Sequence, residues 1–154
     1  MTVTERIRRI QLTLGTVGIL VGVIAFVQAS NVAFRADVGA ELGWPSYELR
    51  LMSYNRLGAL VTLGLAVVGL TAALVRRPSL GWVAAGGFGL FAVQVLIQWR
   101  PDASNLLGSR GSNLAFALLM SLGFGVTAVL ANTLTTATAT AMANEQADPR
   151  KSVR

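Results

Sequence analysis

The chain has no cysteine and no histidine, a single lysine (Lys151), and little charge of either sign. Only 13% of its 154 residues are Asp, Glu, Lys or Arg, about half the share of a soluble domain. Without cysteine there is no disulfide, thiol nucleophile or thiolate cluster, and without histidine no imidazole ligand for metal or haem. Disorder is excluded as well, because it requires low hydrophobicity with high net charge, and 53% of these residues are hydrophobic. The length would suit one soluble domain, but a mean hydropathy of +0.59 does not. What remains is a polytopic membrane protein.

Four windows contain no charged residue: 10–34, 57–75, 80–98 and 114–134. Each is long enough to cross ~30 Å of hydrocarbon at 1.5 Å per residue. Apolar side chains run all the way round each helical wheel, which excludes half-buried amphipathic helices. The expected fold class is therefore all-α, a four-transmembrane-helix bundle occupying residues 1–134.

Charge gathers where the windows end. Arg6, Arg8, Arg9, Arg76, Arg77, Arg150, Lys151 and Arg154 share one side of an even-numbered bundle. Arg35, Arg50, Arg56, Arg100 and Arg110 share the other with Asp37, Glu41, Glu48 and Asp102. The positive-inside rule then places both termini in the cytoplasm. A net charge of +6 would point to nucleic acid in a soluble protein. Here the arginines flank hydrophobic windows, where they set topology and meet anionic headgroups, so no nucleic-acid partner is expected. The first window, with Val27-Gln28-Ala29 before Ser30, imitates a signal peptide. Its length and the three windows after it favour an uncleaved span.

Aromatic residues mark the boundaries. Trp82 and Trp99 bracket the third window as interfacial girdle residues. Trp44, Tyr47 and Tyr54 fall in the long connection between the first two, together with Arg50 and Arg56. There Glu41–Trp44 and Tyr47–Leu51 are expected as short turns lying on the membrane, with capping of the bundle or contact with lipid or a partner as the sharper reading. Residues 135–154 read as an Ala/Thr-rich extension of the fourth helix by a turn or two. A disordered basic cytoplasmic tail is expected beyond Asn144.

The windows also resemble one another. An offset of 66 aligns Gly15 with Gly81 and Val27-Gln28 with Val93-Gln94. An offset of 56 aligns Gly69-Leu70-Thr71-Ala72 with Gly125-Val126-Thr127-Ala128. Two duplicated helical hairpins would produce this pattern.

Helices in lipid associate by close approach and interhelical hydrogen bonds. Small residues recur four apart at Gly18 and Gly22, at Gly81, Ala85 and Gly89, and at Ala117, Ser121 and Gly125. These ridges are expected to pack within the chain. Gln28, Gln94 and Gln98 stand out as polar residues within the windows, with Gln94 deeper than Gln98. Each needs a partner, because an amide alone in hydrocarbon is costly. Asn55 and Asn113 read as helix-start and headgroup contacts.

Chemistry is conspicuous by its absence. No window holds a carboxylate, lysine, arginine or histidine, the groups on which proton relays and ion coupling depend. Gly87–Ala92 and Gly123–Ala128 mimic a dinucleotide fingerprint, but both lie inside spans where no strand precedes them. No catalytic residue, metal or cofactor is expected.

Arginine outnumbers lysine twelve to one, with abundant Ala, Gly and Val, as in GC-rich bacteria. The layout resembles small, uncharacterised four-span proteins of actinobacteria. One such family of unknown function has two hairpins, with Asn and His where the second and fourth spans begin. Asn55 and Asn113 match those asparagines; the histidines are missing here. The resemblance implies the topology and no activity. The function expected is that of a non-catalytic accessory or scaffold subunit of a bacterial inner-membrane assembly. Its partners would be the lipid bilayer and either another membrane protein or copies of itself. The alternative is a small homo-oligomeric channel lined by Gln28 and Gln94.

Overall fold

The computed structural model describes residues 2–28, 47–49, 52–54, 56–98 and 111–147. Helix α1 spans Val3–Gln28. It opens on Thr2, whose Oγ1 accepts the Glu5 amide N–H at 3.3 Å, the N-cap half of a Thr-x-x-Glu box. That cap starts the helix ahead of the basic cluster. Arg6, Arg8 and Arg9 are therefore helical, and the first span begins well before the expected Ile10. Residues 29–34 of the expected window lie outside the described residues.

Helices α2 (Arg56–Val75) and α3 (Pro78–Ile97) reverse direction across two residues. Arg76 takes the left-handed conformation, φ 55°, and the Arg77 amide donates to the Ala72 carbonyl at 3.2 Å. This is the closing bond of a Schellman turn, with arginine where glycine is usual. Extended Arg77 then leads into Pro78 at the start of α3, where a missing N–H costs nothing.

Helix α4 runs from Gly111 to Ala147, 37 residues. That is about 55 Å of helix, far more than the ~30 Å hydrocarbon layer requires. The helix does not fade after a turn or two beyond Leu134. Alanine favours helix, and each threonine of the segment returns its hydroxyl to a carbonyl four residues back. Thr135, Thr136, Thr138 and Thr140 donate to Ala131, Asn132, Leu134 and Thr136 at 2.9 to 3.1 Å. Residues 145–147, where the expected disordered tail would begin, are instead the end of α4, and the rest of that tail, 148–154, lies outside the described residues.

Two short strands, β1 (Tyr47–Leu49) and β2 (Met52–Tyr54), pair antiparallel in the register Tyr47↔Tyr54, Glu48↔Ser53, Leu49↔Met52. The alternation of large and small or polar residues here has period two, which suits a strand better than the turns expected over Tyr47–Leu51. The hairpin lies against α1, α2 and α4 at the end of the bundle remote from the chain termini, which we term the loop end. The opposite end of the bundle is the terminal end.

Helix α1 packs antiparallel on α2 and α3 on α4, and contacts of α2 with α3 and of α1 with α4 close the ring. All four helices are long and apolar enough to cross a membrane. The chain is thus a multi-pass integral membrane protein with a four-helix-bundle fold. Its large aliphatic residues point outward: Leu20, Val83, Leu90, Leu119 and Leu122 are exposed, while ten buried alanines line the interior. Lipid solvates leucine as well as protein does, so the interior is selected for close approach.

The bulk inside comes from the second pair of helices. Phe88 stacks on Phe124 with centroids 6.1 Å apart and meets Phe116 edge-on at the same distance. The Phe124 ring crosses the bundle into the notch left by Gly69, and a Cβ on Gly18 would lie 2.8 Å from the Met120 methyl group. The two pairs do follow a common plan of burial. Gly15, Gly18, Gly22 and Ala25 correspond to Gly81, Ala84, Phe88 and Phe91 at the expected offset of 66. Gly58, Ala59, Thr62, Ala66 and Gly69 correspond to Phe116, Ala117, Met120, Phe124 and Thr127 at an offset of 58, two residues from the 56 that aligns Gly-x-Thr-Ala. Small residues on α2 stand where α4 carries large ones, so the halves are complementary and not identical.

Candidate functional site

The small-residue ridges meet each other inside the chain. A Cβ on Gly22 would come within 3.0 Å of the Leu63 backbone and one on Gly18 within 2.7 Å of the Ala66 Cβ. Gly81 faces Ala128, Ala85 faces Gly125, and Gly89 faces the Ser121 Oγ. Ser121 also donates its hydroxyl to the Ala85 carbonyl at 2.8 Å, a hydrogen bond between α3 and α4. Ala117 is fully buried beside them in the core. Four further notches lie outside those ridges, and sequence spacing does not reveal what fills them. Gly15 receives Leu70, Gly123 receives Leu14, Gly87 receives Leu65 and Gly69 receives Phe124.

The intramembrane amides are dispersed. Gln28 ends α1. Gln94 and Gln98 are half-buried near the C-terminal end of α3, and the Gln98 amide caps the helix by donating to the Gln94 carbonyl at 3.1 Å. The register that sets Gly89 beside Ser121 places Gln98 level with Asn113. Asn113 is fully buried and engaged, which corrects its assignment to headgroups: it faces the bundle. Trp82 is half-exposed at the terminal end of α3. Tyr47 and Tyr54 are paired across the hairpin and Arg56 begins α2. Trp44, Arg50, Asn55 and Trp99 lie outside the described residues.

A concavity opens at the terminal end, where sequence reading places only topology signals. The first turns of α1, the end of α2, Pro78 and the extension of α4 enclose about 620 Å³, within the range of small-molecule sites. Ile7, Ala72, Ala73, Leu134 and Met142 supply its apolar wall, and Arg8, Arg76, Gln11, Thr135 and Thr138 its polar groups, with Glu5 the one carboxylate among the described residues. Gln11 is buried, 5% exposed, on the face of α1 that meets Gly81. The Arg8 Nε is buried with no hydrogen-bond partner. Phe88, Phe124 and Met120 of the packed core, no more than 1% exposed, are not part of its lining.

A signal for this site was present in the helical phase of α1: Ile7 and Gln11 fall four apart on the face that continues through Gly15, Gly18 and Gly22. No protein-family model, curated protein or solved structure matches this chain.

Proposed function

We propose that this chain is a non-catalytic accessory or scaffold subunit of a larger assembly in a bacterial cytoplasmic membrane, with both termini in the cytoplasm. One observation carries the reading. The ridges described above are occupied within the chain, while a further ridge on the α4 extension is covered by none of the described residues. Thr133, Ala137 and Ala141 recur four apart and are exposed, on the face opposite the cavity-lining Thr135, Thr138 and Met142. No charged residue falls between Gly111 and Asn144. Solvated helices are normally dressed in charge, so a smooth, uncharged surface of this length suits contact with another helix. Arg6, Arg8, Arg9, Arg76 and Arg77 cluster at the terminal end, which supports its cytoplasmic placement, and the preference for arginine over lysine supports a bacterial source.

Cross-linking in the host membrane, extraction in mild detergent and native mass spectrometry test the reading. A reproducible heteromer that is lost in the double variant Ala137→Glu, Ala141→Glu is expected. A chain recovered alone as a monomer would overturn it. A closed homo-oligomer would favour a pore between copies, with Gln94→Leu as the next variant.

A further inference from the structure

We propose that the pocket at the terminal end seats an anionic phospholipid, its phosphate on Arg8 and Arg76 and its first acyl segments along the apolar wall. The inference does not depend on the accessory-subunit reading. Three observations converge on it. The Arg8 Nε is buried without a partner, and burying a guanidinium donor unpaired is costly unless an acceptor arrives. Arg76 borders the same cavity while holding a left-handed backbone, φ 55°, at the helix-ending position where glycine is usual. A side chain retained against its own backbone preference points to a task for its charge. The pocket is also amphipathic: Ile7, Ala73 and Leu134 offer a wall for methylene groups, and Thr135 and Thr138 stand nearer the polar rim.

Charge selects an anion. Among the described residues two arginines, Arg8 and Arg76, line the cavity against one acidic residue, Glu5. Guanidinium forks match phosphate oxygens in geometry and charge. Basic pockets between transmembrane helices at the membrane surface take lipid phosphate by the same means. Volume and apolar lining favour an amphiphile over a free ion, since about 620 Å³ exceeds what a phosphate alone would fill.

The test places the full chain in bilayer discs of equal phosphatidylglycerol and phosphatidylcholine, and counts retained lipid by native mass spectrometry. One phosphatidylglycerol should be retained, with roughly tenfold preference over phosphatidylcholine. Arg8→Gln and Arg76→Gly should each lower that preference several-fold. Arg76→Gly also relaxes the backbone, so its loss of lipid does not reflect unfolding. Arg8→Lys should restore part of the effect, and Arg6→Gln, an exposed charge outside the cavity, should leave it intact. No preference in the native chain would overturn the proposal, as would equal loss in Arg6→Gln. Displacement of the bound lipid by millimolar glycerol phosphate would assign the pocket to a soluble phosphate ester and overturn the lipid as occupant.

Discussion

Thr62 is completely enclosed in the core, and its hydroxyl has no hydrogen-bond partner. Threonine in a membrane helix usually returns its hydroxyl to a carbonyl one turn back, as Thr71 does to Val67 at 2.8 Å and Thr127 to Gly123 at 2.8 Å. An unmet donor in this setting costs about 1 kcal/mol or more. Thr62→Val, which keeps the shape and removes the hydroxyl, is therefore expected to raise stability by about 1 kcal/mol, read from reversible unfolding in mixed micelles. A loss of similar size would show that the hydroxyl is used. Ser121 is the opposite case. Its hydroxyl joins α4 to the Ala85 carbonyl of α3, and Ser121→Ala should cost about 0.6 kcal/mol, the usual value of an interhelical hydrogen bond in a membrane. Arg76→Gly should stabilise the turn by roughly 1 kcal/mol, because glycine carries no penalty at positive φ.

At the scale of the helix, glycine has two unlike roles that sequence spacing does not separate. A Cβ on Gly15 would approach the Leu70 backbone to 2.9 Å, and one on Gly22 would approach the Leu63 backbone to 3.0 Å. Backbone cannot swing aside as a side-chain tip can, so Gly15→Ala or Gly22→Ala must push α1 away from α2. A loss of about 1–3 kcal/mol is expected for each. Gly64 and Gly86 have nothing within 4 Å of the same point, so Gly64→Ala and Gly86→Ala should be neutral or stabilise by up to about 1 kcal/mol through helix propensity. If all four variants behaved alike, close contact between α1 and α2 would not be what holds the first pair together.

For the whole molecule, the natural lack of cysteine makes sidedness directly measurable. Single cysteines at Ser79 and Ala141 mark the terminal end, and one at Ser53 marks the loop end. In intact cells a membrane-impermeant maleimide should label the Ser53→Cys variant alone, and cell lysis should expose the other two. The reverse pattern would invert the proposed topology while leaving the bundle as it is. The span count and the antiparallel arrangement behind this test were legible without coordinates, because a charged side chain in hydrocarbon is costly and the charge-free windows therefore stand out. The pairing of Gly81, Ala85 and Gly89 with α4 could be anticipated as a ridge, but its partner could not. The offset of 56 shows why: Gly-x-Thr-Ala recurs in the sequence, yet burial superposes the helices at 58. Identity of short strings says little when four residue types make up most of each helix.

The amino-acid sequence by itself determined the number of spans, the near-absence of titratable chemistry within them and the concentration of arginine at their ends. All of these follow from the free energy of moving charge between water and lipid, which each residue registers without reference to its neighbours. Tertiary structure decided which face of each helix turns inward. It also decided that Arg8, Gln11 and Arg76 border one pocket. In a soluble helix the polar stripe announces the outer face. Here both faces are apolar, so orientation rests on the fit of particular notches to particular side chains, such as Phe124 against Gly69 and Leu14 against Gly123. That fit is a property of helix pairs and their register, and it exists only once the helices have met.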